Sequence, residues 1–199
     1  MAENLSQPVP ADAPASKLSG RRQWFILGTL VVIIFMTYIL AWWDAYRLSS
    51  SYIKDADTSF EDGRYLDALS GYEQYDNDKG DYVQYGGYIH VQRIWANDYA
   101  RPIPDLVQHA DDRIDEIIFD QLTIEDAELF IQENIGRSPP HPYLGTVYLR
   151  LGELYQANGQ WQDAMDIYED VPYSFPDDAA LIERAQRDIR RLQWQKLIG

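Results

Sequence analysis

The sequence predicts an all-α protein, with one N-terminal transmembrane helix, then a short run of helix hairpins, then a C-terminal capping helix. Three observations predict it. Residues 24–43 read WFILGTLVVIIFMTYILAWW, twenty residues without a charge. Beyond them, apolar side chains recur at spacings of three and four, the period of a helix face. The 199 residues include no cysteine, which excludes disulfides, thiolate zinc sites, iron–sulfur clusters and a Cys nucleophile.

At 1.5 Å per residue, the apolar run makes a helix roughly 30 Å long, the thickness of a hydrocarbon core. Trp24 stands at one end and Trp42, Trp43 and Tyr46 at the other, where amphipathic rings favour the headgroup level. A buried core helix of this length would show a polar face, and here only Thr29 and Thr37 are polar. A cleaved signal peptide has an apolar region of about 7–15 residues and a small-residue cleavage site. This run is longer and ends in Ala41-Trp42-Trp43-Asp44, so it reads as an uncleaved signal anchor. Residues 1–23, with Pro8, Pro10 and Pro14 among small polar residues, read as a disordered tail. Lys17, Arg21 and Arg22 cluster before the helix, whereas Arg47 and Lys54 are dispersed after it. That asymmetry predicts a cytoplasmic N-terminus and an extracytoplasmic domain.

The charge is uneven. Against 17 Lys and Arg stand 32 Asp and Glu, a net −15. Residues 1–23 hold three cations against two acids, and residues 184–199 five cations against one, so the remainder carries −20. An acidic body argues against nucleic acid as a partner, because phosphate binding needs a basic face to release counterions.

Helices can be placed along the rest. From Ile103 to Leu122, Leu106, Val107, Ala110, Ile114, Ile117 and Ile118 form one apolar face. Thr123, three residues before Asp126, starts another helix with a capping-box pattern, and Gly136 stops it after Ile135. Residues 137–142 are a breaker-rich connection. A further helix is expected from about Tyr82 to Trp95, weakened by Gly86-Gly87.

Residues 145–178 carry the most specific pattern. Tyr148, Leu151, Gly152 and Tyr155 fall on a first helix, and Ala164, Tyr168 and Val171 on a second, with Gly159 between them and Pro176 after. Gly152 and Ala164 are small enough to let two helices cross closely, and Asn158-Gly159 suits the turn. This segment resembles the tetratricopeptide repeat (TPR), a helix–turn–helix unit of 34 residues that stacks into an α-solenoid. Pro172 departs from the pattern and predicts a second helix shortened by a turn. A weaker copy occupies residues 49–80. There, Gly63, Tyr65, Ala68 and Tyr72 match Gly159, Trp161, Ala164 and Tyr168, while Asp55 and Ser59 sit where Leu and Tyr are expected. The resemblance assigns 44–176 to a TPR-like domain. Residues 177–199 form an amphipathic basic helix with Leu181, Ala185, Ile189 and Leu192 as its stripe, read as the polar-faced cap that repeat arrays need. The same helix offers Arg187, Arg190, Arg191 and Lys196 to anionic lipid or an acidic partner.

No nucleophile, metal or phosphate-loop motif stands out, and no cofactor or small-molecule substrate is expected. His90, His109 and His141 lack metal-like spacing, and Asp76-Asn77-Asp78-Lys79-Gly80-Asp81 misses the calcium-loop pattern. What the resemblance implies is binding of a chain on the first-helix face. In the good repeat its positions are Thr146, Leu149, Glu153, Gln156 and Ala157. In the weaker one they are Ser50, Ile53, Asp57, Phe60 and Glu61. Leu149 and Glu153 stand where the family's carboxylate-clamp members carry Asn and Lys, so no such clamp is expected, and Asp57, Glu61 and Glu153 make a basic or neutral segment with apolar anchors the expected partner. The layout is similar to bacterial single-anchor repeat proteins of secretion or envelope assembly. Two readings stay open: a membrane-tethered scaffold that binds another protein reversibly, and a permanent accessory subunit of a membrane complex. An enzyme or metal-binding protein is a distant third.

Overall fold

The computed structural model describes residues 20–77 and 80–198, with side chains described for 22–77 and 80–195. The chain divides into two compact units, residues 1–44 and 45–199. Of the tail expected to be disordered, residues 1–19 lie outside the described residues. Its last four are helical, because the first helix, α1, already begins at Gly20 and runs to Glu61.

In the first unit, α1 is apolar and exposed along its length. Leu27, Ile34 and Leu40 show half or more of their surface. Thr29 and Thr37 return their hydroxyls to the carbonyls of Phe25 and Ile33, each at 2.9 Å, so neither spoils the apolar surface. The helix has the length and composition to cross a membrane, and none of its most apolar window is buried by the chain.

The second unit is mostly helical, built from the end of α1 and a series of packed helices. These are α2 (Tyr65–Ser70), α3 (Tyr88–Trp95), α4 (Asp105–Glu116), α5 (Ile124–Asn134), α6 (Leu144–Ala157), α7 (Trp161–Ser174) and α8 (Ala179–Ile198). Neighbours in sequence pack on each other: α2 on α3, α3 on α4, α5 on α6, α6 on α7, and α7 on α8. Thr123 caps α5 as its sequence predicts, its hydroxyl accepting from the Asp126 N–H at 3.1 Å. The expected helix to Leu122 does not end as a plain α-helix. A π-helical turn, Ile117–Gln121, follows α4, with the Leu122 N–H reaching the Ile117 carbonyl at 2.9 Å. The wider turn lets Ile117 and Ile118, adjacent in sequence, both be fully buried. Pro172 does not shorten α7, which continues to Ser174 around it.

The expectation of an all-α domain fails between α2 and α3. Strands β1 (Tyr72–Asp76) and β2 (Asp81–Tyr85) form an antiparallel ribbon that pairs Tyr72 with Tyr85, Tyr75 with Tyr82, and Asp76 with Asp81. The helix expected from Tyr82 therefore starts only at Tyr88, and Tyr72, aligned with a second-helix position, lies in a strand. The physical reason is at the base of the ribbon. Gly71 has φ +74° and ends α2 after six residues. Gly87 then packs backbone to backbone against it, where an added Cβ would lie 2.3 Å from the Gly71 nitrogen and 2.7 Å from the Leu69 carbonyl. No side chain fits there.

Gly87→Ala should accordingly lower the stability of the full chain in detergent by about 2–3 kcal/mol. Gly159→Ala has open space and only a φ of +79° to accommodate, and should cost about 1 kcal/mol. Urea denaturation followed by circular dichroism reads both, and equal losses would contradict the packing argument.

Candidate protein-binding site

The two sequence copies share a turn. In the good repeat the Gly159 N–H reaches Gln156 O at 3.1 Å, Gln160 reaches Tyr155 O at 2.9 Å, and Ala164 reaches Gln160 O at 3.0 Å. In the weaker copy Gly63 reaches Phe60 O at 2.9 Å, Arg64 reaches Ser59 O at 2.8 Å, and Ala68 reaches Arg64 O at 2.9 Å. The glycines have φ +79° and +74°, and the caps Gln160 and Arg64 lie within a few degrees of each other. The same local sequence has produced the same connection twice. Ala68 and Ala164 are both fully buried under it.

Around α6 and α7 the small residues do what their spacing predicts. A Cβ on Gly152 would sit 2.4 Å from the Tyr168 ring, so the two helices touch there through a glycine. Tyr148, Leu149, Ala164, Tyr168 and Val171 join Ala185 and Leu192 of α8 in one core cluster. Leu151 is buried as well, outside that cluster. Tyr148 donates to Asp170 at 2.6 Å, and the Tyr155 hydroxyl donates to Glu128 of α5. Pro176 lies exposed in the α7–α8 connection.

The expected groove is largely occupied. Leu149 shows no surface at all, because α8 covers this part of α6. Glu153 pairs with Arg184 of α8 at 2.8 Å and with Arg150 at 3.1 Å. Gln156 accepts from Arg191 and donates to Gln195. What remains open is a shallow pocket of about 480 Å³ lined by Glu153, Gln156, Ala157, Trp161, Arg191 and Gln195. Its charge is mixed, not acidic as the α6 positions alone predict, because α8 brings cations that the repeat pattern does not count. Behind it, the fully buried Tyr168 hydroxyl has no protein partner. Burial, with Asp188 and Glu153 close by, holds that phenol well above its ordinary pKa. Asp188 is itself raised by burial, an effect that its partner Arg191 opposes.

The weaker copy's positions are also spent inside the domain. Asp57 accepts from Tyr88 of α3 at 2.6 Å and contacts His109 Nε2 of α4 at 2.9 Å. Burial, helped by Asp57, raises the Tyr88 phenol out of reach of neutral pH. Phe60 lies edge-on to Tyr65 with the Arg113 guanidinium 4.3 Å from its ring centroid. Ile53 is half-buried, Ser50 bonds back to the Tyr46 carbonyl, and only Glu61 is exposed. Of the residues expected to line a groove, Asp57, Phe60, Leu149, Glu153 and Gln156 are instead engaged with neighbouring helices.

Two other features escaped the sequence. One is the tyrosine ribbon β1–β2, signalled by Tyr-x-x-Tyr on each side of a turn-forming Asp-Asn-Asp-Lys-Gly run. Asp78 and Lys79, part of the segment compared with a calcium loop, lie outside the described residues. The other is a cavity of about 640 Å³ between the α5–α6 and α7–α8 connections, lined by Ile135, Pro140, His141, Phe175, Pro176 and Leu181 among others. His141 stacks edge-on to Phe130 at 4.7 Å between centroids, and its Nδ1 accepts from the Tyr143 N–H. Desolvation, with Arg93 and Arg137 adding to it, lowers its pKa from 6.5 to about 4. Among the described residues no group of three or more His, Asp and Glu is placed to hold a metal ion.

No family model, curated protein or solved structure matches the chain. The resemblance to tetratricopeptide repeats therefore rests on the quoted residues and on the doubled turn.

Two measurements check this geometry. Glu153→Gln removes the acid shared by two arginines and should cost about 1 kcal/mol. Amide exchange should speed up along α8 but not along α5. A neutral buried His141 binds fewer protons than the unfolded chain between pH 6.5 and about 4, so its contribution to stability is complete above 6.5 and lost as pH falls through 4. NMR titration should find the His141 ring neutral at pH 6, and His141→Asn should flatten the acid side of the stability profile. A ring that titrates at its ordinary pKa contradicts the burial.

Proposed function

We propose that this chain is a single-pass membrane protein whose TPR-like helical domain is a scaffold for another protein, with the N-terminus in the cytoplasm and the domain outside it. The observation that carries the reading is the apolar surface of α1. Trp24, Phe25 and Ile26 are each more than half exposed, as are Ile34, Phe35 and Leu40. In water, about 25 cal/mol is lost for every Å² of such surface, and a hydrocarbon core removes the whole cost. Lys17, Arg21 and Arg22 ahead of the span support the orientation.

Support for a scaffold comes from the doubled turn and the consecutive packing of helices, the organisation of repeat proteins that bind chains along a surface. Binding rather than catalysis is favoured by how the titratable groups are used. Asp57, Tyr88, His109, Glu153 and Asp170 are each tied to a neighbouring side chain in the domain. A setting in secretion or envelope assembly belongs to the same proposal and rests on layout alone.

Native thiols are absent, so single cysteines report topology cleanly. Ala180→Cys should react with a membrane-impermeant maleimide in intact cells, and Val9→Cys only after lysis. The reverse pattern would invert the orientation. Extraction of the whole chain by alkaline carbonate would remove the membrane span from the proposal.

A further inference from the structure

We propose that the β1–β2 ribbon is the docking element for the partner. On this view an extended segment bearing Arg or Lys at alternate positions adds to the free edge of β1 as a third strand. This rests on the scaffold reading and names its site and the chemistry of its partner.

The ribbon is an open sheet. It has two strands among the described residues, so each strand has one hydrogen-bonding edge without a ladder partner. Two-stranded ribbons in water are marginal, and free edges are ordinarily blunted because they template further pairing. On β1, Glu73, Gln74 and Tyr75 are exposed in succession, so each of its faces carries an exposed side chain. Beside it lies a depression of about 390 Å³ lined by Gln74, Tyr75, Asp76, Asn77 and Tyr85. Backbone pairing at an edge supplies affinity without regard to side chains, and the alternate side chains select the partner.

The side chains select for cations. Residues 72–85 carry Glu73, Asp76, Asp78 and Asp81 against Lys79. Glu73 on β1 and Asp81 on β2 are both exposed, so the acids reach solvent on each strand. The aromatic rings complete the match. Tyr72 and Tyr85 stack at 4.7 Å and already hold one guanidinium, that of Arg64, with its Cζ 5.0 Å from the Tyr72 centroid. Towards the tip, Tyr75 and Tyr82 form an edge-to-face pair, 48% and 68% exposed. A cationic side chain from a third strand would meet Glu73 and Tyr75 on one face of β1, and would gain both ion pairing and a ring face. The mixed pocket on α6–α8 offers no such bias.

The test uses the full chain in detergent micelles with three short fluorescein-labelled peptides. One alternates threonine and arginine, one alternates threonine and glutamate, and one keeps the arginines but replaces the threonines with proline, which cannot complete a ladder. The threonine–arginine peptide should bind by fluorescence anisotropy and slow amide exchange across 72–77. The proline and glutamate peptides should bind at least on the order of tenfold more weakly. Glu73→Gln should weaken binding on the order of tenfold. It keeps the size of an exposed side chain and removes only its charge, so a loss of affinity there is not a loss of the ribbon. Tyr75→Thr keeps a strand-forming residue and should weaken binding on its own. Equal binding of the proline peptide, or no binding of the threonine–arginine peptide, overturns the proposal. So does a ribbon-dependent dimer of the chain alone, which would make a second copy the occupant. Protection appearing over α6–α8 instead overturns the ribbon as the site while leaving the scaffold reading standing, and the cysteine labelling reads the membrane claim independently.

Discussion

The arrangement of α1, α3 and α4 depends on one carboxylate. Asp57, near the end of α1, takes the Tyr88 hydroxyl of α3 and the His109 ring of α4 on the same oxygen. Two more polar ties run from the same stretch of α1: Trp95 donates to the buried Ser49 hydroxyl at 2.8 Å, and the Gly86 N–H donates to Asp55 at 3.2 Å. Hydrogen bonds to a charged acceptor contribute about 1.5–3 kcal/mol each, more than neutral ones. They also fix direction, which apolar packing does not. At Asp55, where the repeat pattern expects Leu, the chain has instead a carboxylate that accepts from the Gly86 N–H just ahead of α3.

Those ties also explain how a ribbon can exist in a helical domain. Its two ends meet at Gly71 and Gly87, where only backbone fits, and Gly86 lies where an added Cβ would be 2.1 Å from the Tyr52 ring. The strands leave α2 and return to α3 through this gap. The helix to which the ribbon returns, α3, is tied to α1 by Asp57 and Ser49 independently of the ribbon. An element so attached is free to be specialised for its exposed surface.

The net charge of −15 looks different after folding. Around α8, Arg184 pairs with Glu153 of α6 and Arg191 with Asp188 of α8 itself, so the basic terminal helix offsets the acid at the groove position of α6. The groove positions of α6 thereby lose their acidic character. The ribbon keeps its own, with Glu73 and Asp81 exposed. Position relative to α8, not composition, separates the two surfaces.

Local rules were enough for the helices and their punctuation. The twenty-residue apolar run, the Thr123 cap, the stop at Ile135-Gly136 and the Gly63 and Gly159 turns all depend on neighbours within five residues. Sequence period and capping chemistry read such features directly. The small-residue contact at Gly152 and Ala164 was legible for the same reason, since a repeat pattern encodes which positions touch. Three things needed the tertiary structure. Tyr82–Tyr85 has a composition that suits strand or helix, and only the Gly71–Gly87 contact decides for strand. Leu149 and Glu153 have the spacing of a groove, but whether a groove stays open depends on where α8 lies. The π-helical turn at Ile117 is set by the need to bury two adjacent isoleucines, a demand that exists only once neighbouring helices are in place. The sequence by itself therefore determined most of the helices and the apolar run, because those are local free energies. The tertiary structure alone decided the ribbon, the π-helical turn and which surface is left open, because exposure is what remains after every other contact has been made.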